Sequence, residues 1–385
     1  MRVEVLTSLY PGSSRPFEGI FAERRWLGMS ARGHGVAVVQ PLPITPGPFR
    51  ASWREIAGMA RQEMRGPIEV LRPRYLHLPG RARYNARAFA RKGASTILGR
   101  ARPDVVVADY AWPAAAVAPL LQSHGIPLVV SGRGSDVLEV AGEAGLKEEL
   151  AAYLGLASHW CAVSEDLLRA MDGLGGRLGR GHLVANGVDL ETFRPGDRAQ
   201  GRKRVGEALE GRLVVCCGHL IARKDPLLAL EAFAAGAGPG DRMAFLGRGP
   251  LESALRERVA ALGLAQRVRL VGEVKPVELA AWYAACNVLL LTSRREGRPN
   301  VVIEALACGR PVLATASGGT GELLQGCEER MLERGRDPEI LGRKLGLLLE
   351  SAPAADELRA MVEHLSWTAS FEALERCLEE AVEGR

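Results

Sequence analysis

The sequence predicts an α/β protein built from two doubly wound domains. Its 385 residues are enough for two domains of ordinary size, and 47% of them are hydrophobic. Short runs rich in Val and Leu alternate with segments of helical apolar spacing, a pattern typical of parallel sheets covered on both faces. The predicted strands are VEVL (3–6), VAVVQ (36–40), DVVVAD (104–109), PLVVS (127–131), LVAN (183–186), LVVCCG (213–218), MAFLG (243–247), VRLVG (268–272), VLLLT (288–292) and PVLAT (311–315).

The break between the domains is predicted within residues 187–204, a polar stretch that contains Pro-Gly and has no apolar periodicity. We assign residues 1–195 to an N-terminal domain and 196–366 to a C-terminal domain. Residues 367–385 carry one apolar stripe at helical spacing, and we expect this last helix to pack back on the N-terminal domain.

Composition argues against several classes of protein. No apolar run approaches the roughly 20 residues that span a bilayer, and the opening MRVEVLTSLYPG lacks the apolar stretch and cleavage site of a signal peptide. A cytoplasmic protein is therefore expected. The seven cysteines include no C-x-x-C pair, which argues against both a disulfide framework and a zinc site, so we expect buried thiols.

Positive charge is concentrated in one segment. Residues 50–102 hold thirteen Lys and Arg against three Glu, although the whole chain has a net charge of only +5. Such an excess indicates an anionic partner, either a membrane surface, a phosphorylated acceptor or nucleic acid, and the alternative is a solvated basic face. Nucleic acid is disfavoured because no helix-turn-helix, zinc-finger or RNA-binding signature accompanies the charge.

Two glutamates mark the junction SRREGRPNVVIEALACGRP (293–311). It follows the strand VLLLT and so lies at the carboxyl edge of the second sheet, where open α/β sheets bind ligands. Asn300 is the predicted N-cap of the next helix, whose free N–H groups suit phosphate or sugar oxygens. Glu304 and Glu296 are then placed to accept hydrogen bonds from a ligand. The alternative is that Glu304 complements the helix dipole and Glu296 is a loop charge.

The seven residues between Glu296 and Glu304, within EGRPNVVIEALACGRPVLAT, resemble a signature of the retaining glycosyltransferases of family 4. That family has the GT-B fold, in which two Rossmann-like domains face each other across a cleft. The resemblance covers nearly the whole chain, and PRYLHLPG (73–80) resembles a subgroup associated with cell-surface polysaccharide assembly. The other segments, in family order, are LVVSGRGSDV (128–137), AVSEDL (162–167), ANGVDLETFRP (185–195) and FLGRGPLESALRERVAALGLAQRVRLVGEV (245–274).

The resemblance implies a UDP- or GDP-linked sugar as the donor. Glu304 would hold the ribose hydroxyls, Glu296 the sugar that is transferred, and backbone groups near Val274 the nucleobase. Arg298 occupies a variable family position, which suggests a surface residue. The other donor-binding residues that the resemblance implies are Gly19, Gly247, Gly249, Gly297, Pro299, Asn300 and Val301.

Cations for the donor diphosphate are predicted in GHLIARKDPLLALEAF (218–233). With Asp225 as the N-cap and Pro226 as the first helical residue, Lys224 lies just before a helix N-terminus and can stabilise leaving-group charge. Where the family has an arginine after the first glycine, this chain has His219. We expect either Arg223 or His219 to supply the missing phosphate contact.

The N-terminal domain departs from the family at Arg133. Many relatives carry a histidine in segments like SGRGSDV, and a guanidinium cannot act as a general base at neutral pH. The family is usually assigned front-face attack, in which the leaving phosphate oxygen takes the acceptor proton. Arg133 therefore stays a catalytic candidate that binds donor phosphates or an acidic acceptor. The alternative is an ion pair with Asp136 or another acid, and Asp136 itself is equally well explained as a turn cap.

Neither a metal ion nor a cofactor is expected. The chain has no Asp-x-Asp after a strand, and Lys224 with the helix N-termini can neutralise a diphosphate. Six histidines show no ligand spacing and are interpreted as surface or packing residues. These are His34, His77, His124, His159, His182 and His364.

The resemblance, together with these residues, implies a retaining, metal-independent glycosyltransferase that acts on a lipid-linked or other cell-surface glycan acceptor. GT-B enzymes recognise the acceptor in the N-terminal domain, where the basic segment lies, and Arg81, Arg83, Arg87 and Arg91 are the residues we assign to acceptor or membrane contact. We expect a peripheral protein on the inner face of an anionic membrane. Two alternatives stay open, namely another GT-B enzyme such as a sugar-nucleotide epimerase or a phosphorylase, and a non-catalytic membrane-bound scaffold.

Overall fold

The chain forms two compact units, each with its own predominantly parallel sheet. The computed structural model describes residues 1–45, 56, 58–143, 145–176 and 179–384. The first unit comprises Met1–Asn186 and Trp367–Arg385, and the second comprises Gly187–Ser366. Of the predicted basic segment, Arg50 and Arg54 lie outside the described residues.

Ten strands of the first unit are described. They are β1 (Arg2–Thr7), β2 (Gly35–Val39), β3 (Leu42–Ile44), β4 (Gln62–Arg65), β5 (Ile68–Leu71), β6 (Arg74–Leu76), β7 (Val105–Asp109), β8 (Leu128–Gly132), β9 (His159–Ala162) and β10 (Gly181–Leu183). Eight of them form one sheet in the order β10-β9-β8-β7-β1-β2-β5-β4, and only the β4–β5 pair is antiparallel. Strands β3 and β6 form a separate parallel pair.

Helices cover both faces of this sheet. They are α1 (Ile20–Ala31), α2 (Ala82–Leu98), α3 (Ala111–Ala114), α4 (Ala118–Gln122), α5 (Ser135–Leu138), α6 (Leu146–Leu156), α7 (Glu165–Gly175) and, from the end of the chain, the helix Trp367–Glu383. Alternate residues of β7 enter two cores: Val105 and Val107 pack with α1 and the last helix, whereas Val106 and Ala108 pack with α2 and α6. Burial on both faces explains the unbroken Val-rich runs of the sequence.

The second unit has a six-stranded, all-parallel sheet. Its strands are β11 (Leu213–Cys217), β12 (Arg242–Leu246), β13 (Val268–Gly272), β14 (Val288–Leu291), β15 (Val312–Thr315) and β16 (Leu332–Glu333). Their order is β13-β12-β11-β14-β15-β16, so the chain reverses direction across the sheet between β11 and β14. Such a reversal point is where open α/β sheets bind ligands at their carboxyl edge.

Helices follow almost every strand of the second unit. They are α8 (Arg198–Val205), α9 (Pro226–Gly236), α10 (Glu252–Ala261), α11 (Pro276–Ala285), α12 (Asn300–Ala307), α13 (Thr320–Leu323), α14 (Glu328–Met331), α15 (Pro338–Glu350) and α16 (Ala355–Ala360). The helix Trp367–Glu383 of the first unit is therefore α17. The loops between β11 and α9 and between β14 and α12 meet beside the reversal point, and they carry the predicted donor residues.

The boundary between the units differs from the predicted one. The structure divides the chain after Asn186, whereas the sequence pattern placed the division after residue 195. The reason is that Phe193 is buried in the core of the second unit, and its carbonyl accepts a hydrogen bond of 3.1 Å from Arg359. Helix α17 packs on the first unit through Leu374, Cys377 and Leu378.

Several short strands were not predicted because they lack a run of apolar residues. Strand β9 has the sequence HWCA and β4 has QEMR, which contain too few consecutive Val or Leu to be predicted. The predicted strand 183–186 is displaced, because pairing with β9 involves Gly181 to Leu183 instead. Within the described parts of the chain, no helix combines the length and the hydrophobicity that crossing a bilayer requires.

Candidate functional site

Glu296 and Lys224, two of the three predicted catalytic residues, form an ion pair. Glu296 lies in the loop between β14 and α12, and Lys224 lies in the loop between β11 and α9. The Lys224 ammonium is 2.6 Å from Glu296 Oε1, and the Arg223 guanidinium is 3.6 Å from Glu296 Oε2. The Glu296 side chain is 7% exposed and that of Lys224 is 20% exposed. A carboxylate is thus held between two cations at the carboxyl edge of the sheet.

Backbone contacts join these two loops. The Arg294 N–H donates to the Arg223 carbonyl at 2.7 Å, and the Arg223 guanidinium donates to the Arg295 carbonyl at 3.1 Å. The Thr292 hydroxyl donates to the Asp225 carbonyl at 2.8 Å. These three hydrogen bonds to main-chain carbonyls hold Lys224 and Glu296 in position, so their arrangement does not depend on the ion pair alone.

A third loop, which follows β15, supports Glu296 from behind. Gly318 has φ +51°, and a Cβ atom at this position would lie 1.9 Å from the Glu296 carbonyl oxygen. The Gly319 N–H donates to the Gly297 carbonyl at 3.1 Å. Only glycine fits at residue 318, because any side chain would push the Glu296 backbone out of place. Gly318 was not predicted from the sequence, although a Gly-Gly pair after a strand is a recognisable signal.

Asp225 occupies the predicted N-cap position of α9, but its side chain does not cap the helix. No side-chain hydrogen bond reaches the first turn, and the residue has φ +47°. Its carboxylate instead lies 2.6 Å from the Arg294 guanidinium and 2.7 Å from that of Arg336. Pro226 is the first helical residue, as predicted. The two arginines explain the correction, since a charge-assisted ion pair competes with the cap.

Glu304 is oriented by a buried tyrosine. The Tyr283 hydroxyl donates to Glu304 Oε2 at 2.9 Å, and Tyr283 itself is fully buried on α11. Burial, together with the neighbouring Cys217 and Glu304, raises the pKa of Tyr283 well above its usual value, so the hydroxyl stays a donor. Tyr283 was missed from sequence because it lies 21 residues before Glu304 in a different helix.

Helix α12 begins one residue earlier than the predicted cap at Asn300 requires. Asn300 is the first helical residue, Pro299 occupies the cap position with φ −76° and ψ 109°, and the described structure shows no side-chain cap hydrogen bond there. The extended backbone of proline provides the entry into the helix without a side-chain acceptor. Gly297 and Pro299 are buried, whereas Val301 is half-buried.

The glycines predicted to bind the donor have structural roles of their own. Gly247 has φ +137°, and a Cβ there would lie 2.1 Å from the Gly218 carbonyl oxygen. A Cβ at Gly249 would lie 2.4 Å from the Leu220 carbonyl oxygen. Both glycines therefore allow the loops after β11 and β12 to approach closely.

The remaining donor candidates of the second unit lie in different environments. His219 is exposed, and no described contact joins its side chain to Glu296, so Arg223 is the better placed of the two candidates for the phosphate contact. Val274 is half-buried. Arg298 is not the surface residue suggested by its variable position, because its side chain is only 7% exposed and lies 3.8 Å from Glu322.

Arg133 of the first unit is enclosed in an ion pair with Asp109. Its Nε and Nη2 donate to the two carboxylate oxygens at 2.8 and 2.9 Å, and its Nη1 donates to Asn186 Oδ1 at 3.0 Å. Burial alone would raise the pKa of Asp109, but the charge and hydrogen bonds of Arg133 outweigh burial and lower it. Trp26 also donates to Asp109, at 2.8 Å. These contacts favour the ion-pair interpretation, with Asp109 rather than Asp136 as the partner.

Asp136 caps the turn that carries Arg133. Its Oδ1 accepts the N–H of Arg133 at 2.9 Å and that of Gly134 at 2.7 Å. Burial raises the pKa of Asp136 to about 6. Gly19, the other predicted donor contact in this unit, has φ +77° and is buried, and a Cβ there would lie 2.8 Å from the Leu9 carbonyl oxygen. Its backbone conformation therefore requires glycine whether or not a donor approaches.

Acids from outside the basic segment neutralise part of its charge. Glu149 lies 3.5 Å from Arg83 and 2.8 Å from Arg87, and Glu4 lies 3.2 Å from Arg100. Arg72 is fully buried, where it donates to Gln40, Glu63 and the Pro11 carbonyl. The formal excess of the segment therefore overstates the charge that its surface presents.

An open groove lies along α2 within the same segment. Its volume is about 490 Å³, and it combines cations with exposed apolar and aromatic side chains. Leu76 is 48% exposed and Tyr84 is 42% exposed. The side chains that line it include Tyr75, Leu76, Tyr84, Arg87, Arg91 and Lys92.

Among the described residues, one group of three His, Cys, Asp or Glu side chains is close enough to share a metal ion, and it contains none of the predicted donor residues. It consists of His159, His182 and Glu380, whose ligand atoms lie within 4.8 Å of one another. The two histidines are 23 residues apart in the sequence, so ligand spacing could not reveal the group.

Comparison with known families identifies two matching models. One, described as Glycosyltransferase Family 4, matches residues 27–192. The other, described as Glycosyl transferases group 1, matches residues 211–351. The two matches fall on the two sheets and together span most of the chain.

Individual relatives extend this likeness. The putative teichuronic acid biosynthesis glycosyltransferase TuaC of Bacillus subtilis (strain 168) is 29% identical over 90% of this chain and 88% of that protein. D-inositol 3-phosphate glycosyltransferase 1 of Catenulispora acidiphila is 31% identical over 73% of each chain. Among solved structures, Anabaena HepE in complex with UDP superimposes with a TM-score of 0.74 over 98% of this chain and 100% of that one, at 18% identity.

Proposed function

Because the chain belongs to glycosyltransferase family 4 and has the GT-B fold, we propose that it transfers a sugar from a nucleotide-diphosphate sugar to a lipid-linked or other cell-surface glycan. The observation that carries the proposal is the Lys224–Glu296 ion pair, held by main-chain contacts beside the N-terminus of α12. It sets a cation and a carboxylate side by side where a diphosphate and a sugar would meet.

The donor would be bound by groups of both signs. Glu304, oriented by Tyr283, would accept hydrogen bonds from the ribose hydroxyls, and Glu296 would accept them from the transferred sugar. Lys224, Arg223 and the N–H groups at the start of α12 would bind the diphosphate. A UDP- or GDP-linked donor fits these groups, and the structurally similar HepE was solved with UDP.

Transfer would proceed with retention of the anomeric configuration. The bond between the anomeric carbon and the β-phosphate oxygen breaks, and the acceptor hydroxyl attacks the same face of the sugar. The acceptor proton passes to the departing phosphate oxygen, so no side chain has to serve as general base. Negative charge grows on the leaving diphosphate, and Lys224 and Arg223 stabilise it from fixed positions.

The acceptor proposal rests on the groove along α2. Arg91 and Lys92 can bind the phosphate of a lipid-linked acceptor, while Leu76 and Tyr84 contact its apolar part or the bilayer. A role in cell-envelope glycan assembly agrees with the name of the relative TuaC.

A donor assay tests the catalytic part of the proposal. The purified protein would be incubated with a panel of nucleotide sugars, and nucleotide release would be measured with and without acceptor lipid extract. We expect release from one UDP- or GDP-linked sugar, stimulated by acceptor, with an α-linked product from an α-linked donor. An inverted product, or release that acceptor never stimulates, would contradict the proposal.

Vesicle sedimentation tests the membrane part. We expect binding to anionic vesicles, release by ~0.5 M salt through screening, and loss of binding in an Arg-to-Glu variant of the basic surface. A fourfold variant removes the larger amount of positive charge from the basic surface; it carries Arg81→Glu, Arg83→Glu, Arg87→Glu and Arg91→Glu. The changes at Arg83 and Arg87, however, place glutamates against Glu149. The variant Arg91→Glu with Lys92→Glu avoids that repulsion and is the sharper test.

A charge-matched control carries the same two changes on the second unit, at the exposed Lys203 and Arg204. The control should bind vesicles like the unmodified protein, and both variants should keep their nucleotide affinity. Equal recovery with neutral and anionic vesicles would make the segment a solvated basic face, with a soluble acceptor.

A further inference from the structure

Two histidines and a glutamate meet on one face of the first sheet. His159 opens β9, and His182 lies on β10 opposite Cys161 in the parallel register. Because side chains alternate along a strand, His159 and Cys161 share a face, and the two imidazole ring centres are 5.3 Å apart. Helix α17 covers this face, and its Glu380 lies one turn beyond Cys377, which is buried there with Cys161.

The distances within this cluster suit metal ligation better than hydrogen bonding. Glu380 Oε2 lies 3.4 Å from His182 Nε2 and 3.7 Å from His159 Nε2. Zinc bonds to nitrogen and oxygen of about 2.0–2.2 Å place tetrahedral ligand atoms ~3.3–3.6 Å apart. The ligand atoms of all three residues already lie within 4.8 Å of one another, and the Glu380 side chain is 52% exposed and can turn inwards.

An ordinary histidine–glutamate contact on the same helix shows the difference. His34 Nε2 lies 3.0 Å from Glu375 Oε1, a normal hydrogen-bond length, and Arg32 pairs with the same carboxylate. In the cluster, by contrast, His182 Nε2, which faces Glu380, is enclosed and makes no hydrogen bond to any described residue.

We infer that His159, His182 and Glu380 form a binding site for a divalent zinc-type ion. Two imidazoles and one carboxylate are a ligand set typical of zinc, with a water molecule completing the tetrahedron. The site contains no donor-binding residue, so the inference does not depend on the proposed function. The ion would tie the last turns of α17 to the β9–β10 edge of the sheet.

Zinc retention provides the direct test. The purified full-length protein would be stripped with chelator, reloaded with ZnCl2, freed of excess metal by gel filtration and analysed by elemental mass spectrometry. We expect one zinc ion per chain and a higher midpoint of thermal unfolding after loading. A protein that retains no zinc, or whose unfolding midpoint zinc leaves unchanged, would overturn the inference.

Substitutions test whether these three residues bind the ion. His159→Ala with His182→Ala should weaken zinc binding by more than the ~10–100-fold that loss of an outer-sphere partner costs. Glu380→Gln, at a half-exposed side chain, tests the same site without disturbing the core, and we expect at least tenfold weaker binding. His34→Ala is the matched control and should bind zinc like the unmodified protein.

Cobalt substitution separates this site from the seven cysteines of the chain. A Co²⁺ ion held by nitrogen and oxygen should show visible d–d bands without the near-ultraviolet charge-transfer band of thiolate ligation. A thiolate band, or zinc affinity that is equal in the double-histidine variant, would assign the metal to cysteines and refute the proposal.

Discussion

Two ion pairs at the carboxyl ends of parallel strands differ in what surrounds them. Lys224 and Glu296 follow β11 and β14 of the second sheet and are 2.6 Å apart, while Arg133 and Asp109 lie at the ends of β8 and β7 of the first and are 2.8 Å apart. The side chains of the first pair are 20% and 7% exposed, and those of the second are 4% and 2% exposed. Similar geometry therefore occurs in an open and in a closed environment.

The partners of each pair explain the difference in role. Asp109 also accepts from Trp26, and Arg133 also donates to Asn186, so protein groups occupy the closed pair. In the described structure Glu296 is the one acceptor of the Lys224 ammonium, which has three N–H groups to donate. The open pair thus keeps donors for a ligand. A buried cation at a sheet edge therefore indicates a binding site only when some of its N–H donors are not already hydrogen-bonded to protein groups.

Breaking the closed pair should give the largest effect, and the effect should be on stability. Asp109→Ala leaves the Arg133 and Arg25 guanidiniums buried without their carboxylate, a change that costs roughly 3–5 kcal/mol of unfolding free energy. Chemical denaturation followed by circular dichroism would measure it. Nucleotide affinity should be unchanged when it is measured at denaturant concentrations well below the midpoint of unfolding.

Two variants keep this test interpretable. Asp109→Asn retains an acceptor for Trp26 and should destabilise less, and Glu18→Ala, which removes a partly exposed partner of Arg15, should change stability little. The unmodified protein should have a higher unfolding free energy than Asp109→Asn, and this difference should be at its full size at neutral pH. It should disappear as the pH falls through the lowered pKa of Asp109. A tenfold loss of donor affinity in Asp109→Asn would instead mean that Arg133 reaches the donor.

Breaking the open site should leave stability nearly intact and impair function. Glu304→Ala should weaken nucleotide binding, since a lost hydrogen bond to a charged group costs ~1.5–3 kcal/mol, or roughly 10- to 150-fold. Glu296→Ala should mainly lower turnover, because its proposed partner is the sugar being transferred. Calorimetric titration with UDP and GDP and steady-state kinetics measure the two effects.

Glu252→Ala, which removes an exposed helical ion pair with Arg256, is the control for these two variants and should behave like the unmodified protein. If both site variants bind nucleotide diphosphate normally and keep full activity, the donor-site assignment is wrong. An equal loss of stability in Glu296→Ala and Asp109→Ala would remove the distinction between the open and the closed pair.

A smaller effect on nucleotide binding is expected at Tyr283, which orients Glu304. Tyr283→Phe keeps the buried ring and removes only the hydroxyl that orients Glu304, so nucleotide binding should weaken by ~1 kcal/mol, or about fivefold. Tyr153→Phe removes a hydroxyl that donates to Glu149 in the first unit and should leave nucleotide binding unchanged. A Tyr283→Phe protein that binds nucleotide normally would show that Glu304 is held by other contacts.

The parts of the fold that could be predicted from the sequence are those determined by neighbouring residues along the chain. The runs rich in Val and Leu predicted the main parallel strands because burial on both faces leaves an unbroken apolar pattern, as in VLLL of β14. The loop before α12 and the loop before α9 were also predicted, since a strand end followed by a helix start is visible in the order of residues. The meeting of Glu296 with Lys224 then follows from β11 and β14 being neighbours in the sheet.

Contacts that depend on strand order or on a second helix were not predictable. Arg133 finds Asp109 because β7 lies beside β8, and nothing in SGRGSDV names that partner. Tyr283 reaches Glu304 from another helix, and His159 meets His182 only through the pairing of β9 with β10. In each case the interacting residues are at least 21 positions apart, so the fold has to be known before the chemistry can be assigned.

The smallest expected effect is that of removing metal ions during catalysis. If Lys224 and Arg223, with the N-termini of α9 and α12, neutralise the diphosphate, transfer should continue at an undiminished rate in excess EDTA. The comparison sharpens this expectation, because the open pair already supplies the positive charge that a bound magnesium or manganese ion would bring. Initial rates with EDTA, and after re-addition of Mg²⁺, Mn²⁺ or Zn²⁺, would be measured at a temperature far below unfolding, so that loss of zinc from the His159–His182–Glu380 site does not affect the result. Complete loss of activity that only Mg²⁺ or Mn²⁺ restores would mean that the cations of the open pair do not suffice, and it would assign the leaving-group charge to a metal ion.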